Sequence, residues 1–241
     1  MPEMIAPEPV SKGLAARAVG VIVSPRSTYA DVARRPRWFG VLLLAVLIGG
    51  TAATMLAASE VGQQAVLDQQ LTQAEASGRH LTDAQVQRLE QMAPYYKYFA
   101  LPFQAVTLIV LALVVAGLAL TVFTVLLGGD ARFKQVFAIV AHSAMVTTLG
   151  ALFIFPLDYV RKTMTSPTNL MVFLPFVDEN TFLGRLFSAI DLIYVWWAVS
   201  LAIGLGVLYK RKTGPIASTI LGIYAVLALV IAGVRTALAG A

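Results

Sequence analysis

Five stretches of the chain are almost continuously apolar, and the segments between them are polar or mixed. They cover residues 38–58, 99–127, 136–157, 186–209 and 216–238. A helix needs about 20 residues, rising 1.5 Å each, to cross about 30 Å of hydrocarbon. All five are long enough. The second exceeds that length and has room to tilt or to extend past one face. None has the strict apolar–polar alternation of a barrel strand, so the pattern predicts an all-α, polytopic bundle with five membrane spans.

The flanking segments have their own periodicity. Leu14, Ala18, Val21 and Ile22 share a helical face, and Ser24 followed by Pro25 reads as an N-cap with proline at the first helical position. Residues 10–37 therefore predict two short amphipathic helices at the cytoplasmic interface. Residues 1–9, rich in Pro and Glu, predict disorder. The apolar run at 18–23 is too short for a secretory signal, and Pro25 ends it. Residues 59–98 predict an outer helical hairpin. There Leu67, Leu71 and Ala74 share a face, Gly78 is a stop, "TDAQ" at 82–85 is a capping box, and Pro94 ends the second helix. "YYKYF" at 95–99 reads as an aromatic interface belt. "NLMVFLPF", within 158–185, is too short to span and is expected on the interface or against the bundle. No internal repeat appears, which removes support from transporters built of duplicated halves.

Composition sharpens this picture. The chain is 58% hydrophobic and 13% charged, where soluble domains carry about 25% charge. It has no cysteine, which excludes disulfides, thiolate metal sites, cysteine nucleophiles and palmitoylation. Its net charge of +5 comes without a basic stripe interleaved with aromatics, so nucleic acid is not an expected partner. The cations instead read as topology signals and headgroup contacts. The dense basic cluster before the first span puts the N-terminus inside and, with five spans, the C-terminus outside. Arg17, Arg26, Arg34, Arg35 and Arg37, with Lys210, Arg211 and Lys212, are candidate contacts for anionic lipid headgroups or a partner.

Ionisable groups inside spans are functional candidates by default. His142 lies in the third stretch and is expected to bond a neighbouring helix, with Thr147 one turn on. Asp191 would stand about 7–8 Å inside the outer end of the fourth helix, and His142 about 9 Å inside the inner end of the third. The two would then differ in depth by roughly 13–14 Å, too far for a proton dyad. Asp191 is expected at a helix start, with Arg161, Lys162 or Arg185 reaching it from the boundary. Asp158, Arg161 and Lys162 read as a solvated surface cluster. Gly128 and Gly129 would end one helix, and Asp130 would cap the next. No catalytic, metal or cofactor-binding constellation is visible.

Four pieces together resemble one family: "VSPRSTYADVARRPRW" at 23–38, "LLGGDARFKQVFAIVAHSA" at 126–144, "TNLMVFLP" at 168–175 and "AIDLIYVWWAVSLAIGLGVLYKRKTGPIAS" at 189–218. They look like the Yip-one domain family, the Ypt/Rab-interacting type of integral membrane protein that also occurs widely in bacteria. The resemblance implies a five-helix bundle with a cytoplasmic N-terminus. In eukaryotes similar proteins act in vesicle traffic with prenylated Rab-type GTPases, but the short segment before the first span does not carry that role over. An Ala/Val-rich chain without cysteine suits a bacterial inner membrane. The expected function is a non-enzymatic scaffold or adaptor that organises membrane proteins, itself in homo-oligomers, or lipids. The alternative is a small-solute, ion or lipid transporter or channel whose polar path includes His142, Asp191, Gln104 and Thr147.

Overall fold

A computed structural model describes residues 12–76, 78–163 and 165–239; the disorder expected for residues 1–9 lies outside them. The described residues form helices joined by short turns, apart from a longer connection over 162–181 with a 3-10 turn at Leu170–Phe173 and an isolated antiparallel bridge between Asn169 and Asp191. Two short helices open the chain, α1 (Leu14–Val23) and α2 (Pro25–Arg34), followed by α3 (Phe39–Ala58). The hairpin segment is α4 (Glu60–Ala76) and α5 (Asp83–Met92). Then come α6 (Tyr96–Leu120), α7 (Phe133–Arg161), α8 (Phe182–Ala189), α9 (Leu192–Leu208) and α10 (Thr213–Ala239).

The centre of the bundle is α7. Two thirds of its most apolar window is buried (67%), against 17% for α10 at the edge. Small residues on several sides of α7, among them Ala138, Ala141, Ser143 and Ala144, let neighbouring backbones approach closely. α3 and α6 pack together against it, α9 packs on another side, and α10 lies beyond α9 and α8. Large side chains remain exposed along α6 (Phe103, Val110, Leu118) and α10 (Ile223, Val226, Val230). In water such a surface would be penalised at about 25 cal/mol per Å²; a bilayer is the solvent it matches.

The hydrophobic pattern places α3, α6, α7 and α10 to within a few residues, and these four are long and apolar enough to cross a membrane. The fourth stretch differs. Instead of one helix over 186–209, the chain breaks at Ile190 and Asp191 between α8 and α9. Asp191 is the N-cap of α9, whose 17 residues rise about 26 Å. α6 also ends irregularly, in a π-helical turn at Thr121–Leu126. Gly128 then turns the chain at φ +67°, where a glycine has no Cβ to clash. Arg132 rather than Asp130 is the N-cap of α7, its N–H donating to Gln135 Oε1 at 3.0 Å.

α1 and α2 fold back onto the end of the bundle and contact α7, and α2 also contacts α9. They are buried more deeply than surface-lying helices would be: Thr28, Tyr29 and Val32 on α2 are fully enclosed. At the other end, Gly78 has φ +69° and the Thr82–Gln85 capping box is formed. α4 runs along the end of α3 and buries Leu67 and Ala74, but Leu71 only partly. α5 has no buried residue. Pro94 lies in the 3-10 turn Ala93–Tyr95 that leads into α6.

Candidate functional site

Asp191 stands where two chain segments meet. Residues 168–170 pair with 190–192 through Leu170 N–H to Ile190 O at 2.9 Å and Leu192 N–H to Thr168 O at 3.0 Å. This pairing brings the Ser166 and Thr168 hydroxyls to the carboxylate. Ser166 Oγ donates to Oδ2, and Thr168 Oγ1 lies 2.9 Å from both oxygens. The N–H of Ile193 donates to Oδ1 at 2.8 Å. Behind the carboxylate, the Asp191 N–H donates to Tyr224 Oη at 2.9 Å, and that hydroxyl donates to Ala189 O at 3.1 Å. Asp191 is 8% exposed. The basic side chains expected to reach it are turned elsewhere: Arg161 donates to Thr165 O and Arg185 to Arg235 O. Two hydroxyls and the positive end of α9 replace them, which keeps the charge satisfied without a second ion.

The other polar span residues are placed separately. His142 is fully buried; its Nδ1 lies 2.7 Å from Ala138 O on its own helix, and Nε2 has no partner among the described residues. Its expected bond to a neighbouring helix is made instead by Ser143, whose Oγ accepts from Trp197 Nε1 at 3.1 Å. A Cβ on Gly150 would meet Ile193, and one on Gly204 would meet Ile139, so α7 and α9 run antiparallel in a known register. That register sets Asp191 about 15 Å along the axis from His142. Thr147 donates to Ala144 O at 2.9 Å, within its own helix. Gln104 lies on α6 beside Gly49 of α3. The four residues do not converge. Asp158 departs from the expected solvated cluster: it is 4% exposed, and Oδ1 has no partner among the described residues.

At the opposite end, α1 and α2 form a polar-seamed cap. Tyr29 Oη and Ser200 Oγ of α9 are 2.8 Å apart inside the protein. Burial raises the Tyr29 phenol above its ordinary range, and the Ser200 bond offsets only part of this, so the hydroxyl stays neutral. Gln135 Nε2 donates to Ala33 O at 3.0 Å, fastening the end of α2 to the start of α7. Arg17, expected among the headgroup contacts, points inward instead. Its Nε donates to Asp31 Oδ2 at 2.8 Å and its Nη1 to Arg35 O at 3.0 Å. Its helix face is the one that buries Ala18 and Val21, so the guanidinium is carried into the α1–α2 seam. The other seven candidates, Arg26, Arg34, Arg35, Arg37, Lys210, Arg211 and Lys212, are exposed. Arg211 also donates to Leu127 O at 3.1 Å. Tyr29, Ser200, Ser166 and Thr168 escaped the sequence reading, because isolated hydroxyls in apolar or loop segments have no periodic signature.

Asp191→Ala should open the junction between α8 and α9. It removes an N-cap bond worth about 0.5–2 kcal/mol and charge-assisted bonds worth about 1.5–3 kcal/mol each. The expected result is a lower melting temperature in detergent and faster proteolysis within 163–168, with Asp191→Asn less affected because its amide oxygen still accepts. Unchanged melting and cleavage in Asp191→Ala would contradict the role described.

This is a polytopic, all-helical integral membrane protein with a folded cap on one end and a hydrogen-bonded junction at the other. The Yip1 domain model matches residues 19–234, nearly the whole chain, with the junction and all of the cap after residue 18, and the chain belongs to the Yip1 domain family. Neither the curated proteins nor the solved structures gave a match.

Proposed function

We propose that this protein is a non-enzymatic membrane scaffold of the Yip1 type, which organises membrane proteins, copies of itself, or lipids. One observation carries this reading: the span carboxylate Asp191 is occupied by intramolecular donors while the cap presents a crowded cationic surface. A group already satisfied by Ser166, Thr168 and Ile193 N–H would have to give up those bonds to hold a transported ion. Among the described residues Arg26, Arg34, Arg37 and Lys212 have no such side-chain bonds to give up, and they suit anionic headgroups. We place the protein in a bacterial inner membrane with five spans, α9 counted as the short fifth, the cap inside and the C-terminus outside. Charge supports this placement, since the cap and the turns beside it hold the dense Lys/Arg clusters.

The absence of native cysteine makes topology directly testable. With a membrane-impermeant maleimide on intact cells, Arg79→Cys and Glu179→Cys should label, whereas Arg132→Cys and Lys212→Cys should label only after permeabilisation. The reverse pattern would invert the topology. For function, cross-linking in native membranes should give a reproducible self-oligomer or partner that weakens when Arg26, Arg34, Arg37 and Lys212 become Gln. A monomer with no enriched species, or solute flux above empty vesicles that Asp191→Asn abolishes, would refute the scaffold.

A further inference from the structure

Between α3, α6 and α7 the surface opens into a groove of about 610 Å³. Its walls are apolar. Trp38, Leu42 and Val46 come from one stripe of α3, Ala105 and Ile109 from one stripe of α6, and Phe137 from α7. The stripes repeat every four residues, so the groove follows the helix axes rather than crossing them. From Trp38 to Val46 it extends about 12 Å, close to half of the roughly 30 Å hydrocarbon thickness. Its cap-side end is lined by one charged residue, Lys134. Lys134 is exposed, as are Arg37 and Arg132, which immediately precede the lining residues Trp38 and Phe133. Among the described residues Lys134 has no ion-pair partner.

Such a groove needs an apolar occupant. Water requires two to four polar partners, and these walls supply almost none. An empty groove would forfeit dispersion contacts along its whole length. A lipid acyl chain runs in the same direction as the helices, and its phosphate belongs at the membrane boundary, which the apolar run starting at Val136 sets beside Lys134. We propose that the groove holds one acyl chain of an anionic glycerophospholipid, with its headgroup phosphate against Lys134. A helix from a second copy would fill the apolar length too, but would leave the cation at the groove's end without a counterpart. This site goes beyond the scaffold proposal and does not depend on it.

Native mass spectrometry of the full chain in mild detergent, supplied with equal phosphatidylglycerol and phosphatidylcholine, tests the assignment. The expected result is one retained phosphatidylglycerol per chain. Lys134→Gln should reduce the preference for the anionic lipid about fivefold, the weight of one cation at a charged lipid surface. Ala105→Phe, which fills the groove from its α6 wall, should lose the retained lipid. Leu111→Phe, on an exposed part of α6 outside the groove, should keep it. Thermal melting confirms that each variant is folded, and Leu43→Trp, another lining position, replaces Ala105→Phe if that chain misfolds. Equal retention by the wild type and the groove-filling variant, equal retention of both lipids, or a dimer mass in place of a lipid would overturn the proposal.

Discussion

Asp31→Asn is expected to destabilise the cap by about 3–5 kcal/mol, the penalty for leaving a buried charge without its partner. Arg17 is only 3% exposed and Asp31 17%, so solvent can do little to compensate the guanidinium once the carboxylate is gone. The bond from Arg17 Nη1 to Arg35 O would remain, but one carbonyl does not neutralise a cation. Arg17→Met leaves the more accessible Asp31 behind and should cost less. Asp31→Leu combined with Arg17→Met should recover much of the loss, because replacing both charges with apolar groups of similar size is often neutral or stabilising. Denaturant titration in mixed micelles of the wild type, Arg17→Met, Asp31→Leu and the Arg17→Met/Asp31→Leu double variant would give the four corners of this cycle. Additive losses would mean that the two residues do not act as a pair. Proteolysis should localise the damage to α1 and α2, since the seam joins those two helices.

Gly204→Leu should be comparably harmful, through crowding instead of charge. A single Cβ at this position would lie 2.5 Å from Ile139 Cγ2 and 3.1 Å from two ring carbons of Tyr29. Neither neighbour has room to yield, because Ile139 and Tyr29 are both fully enclosed. Overpacking of this kind costs about 1–3 kcal/mol or more, and here three helices share it: α2, α7 and α9. Gly204→Ala should already lower the melting temperature, and Gly204→Leu should also release the Tyr29–Ser200 contact. Gly222→Ala supplies the contrast. A Cβ there meets nothing within 4 Å, and alanine is favoured over glycine in a helix interior by about 0.5–1 kcal/mol. It should leave the protein unchanged or slightly more stable. Equal responses at the two glycines would argue against the close approach at 204.

Helix positions were legible in the chain because burial in lipid demands long apolar runs, and α3, α6, α7 and α10 are such runs. The break before α9 was not legible, since hydropathy counts apolar residues and cannot see that Ser166 and Thr168 return to meet Asp191. The family resemblance rested on four quoted segments, and the family model spans them all. The residues of the cap were read less well. Arg17 sits in a run of cations that all look like headgroup contacts, and only its place on the buried face of α1 separates it from Arg26 or Arg34. Asp158 had the spacing of a solvated cluster, yet the fold encloses it near the end of α7. In both cases local spacing described the helix surface correctly but did not reveal which side the rest of the chain would cover.

The interruption between α8 and α9 also decides how the last helix seats. An unbroken helix in hydrocarbon spends its amides and carbonyls on itself and offers a neighbour only a slippery coat of Ala, Val and Leu. By leaving Asp191 N–H and Ala189 O outside the helical ladder, the chain gives Tyr224 two fixed points to grip. α10 is therefore keyed at one height and one rotation, although few of its residues are enclosed.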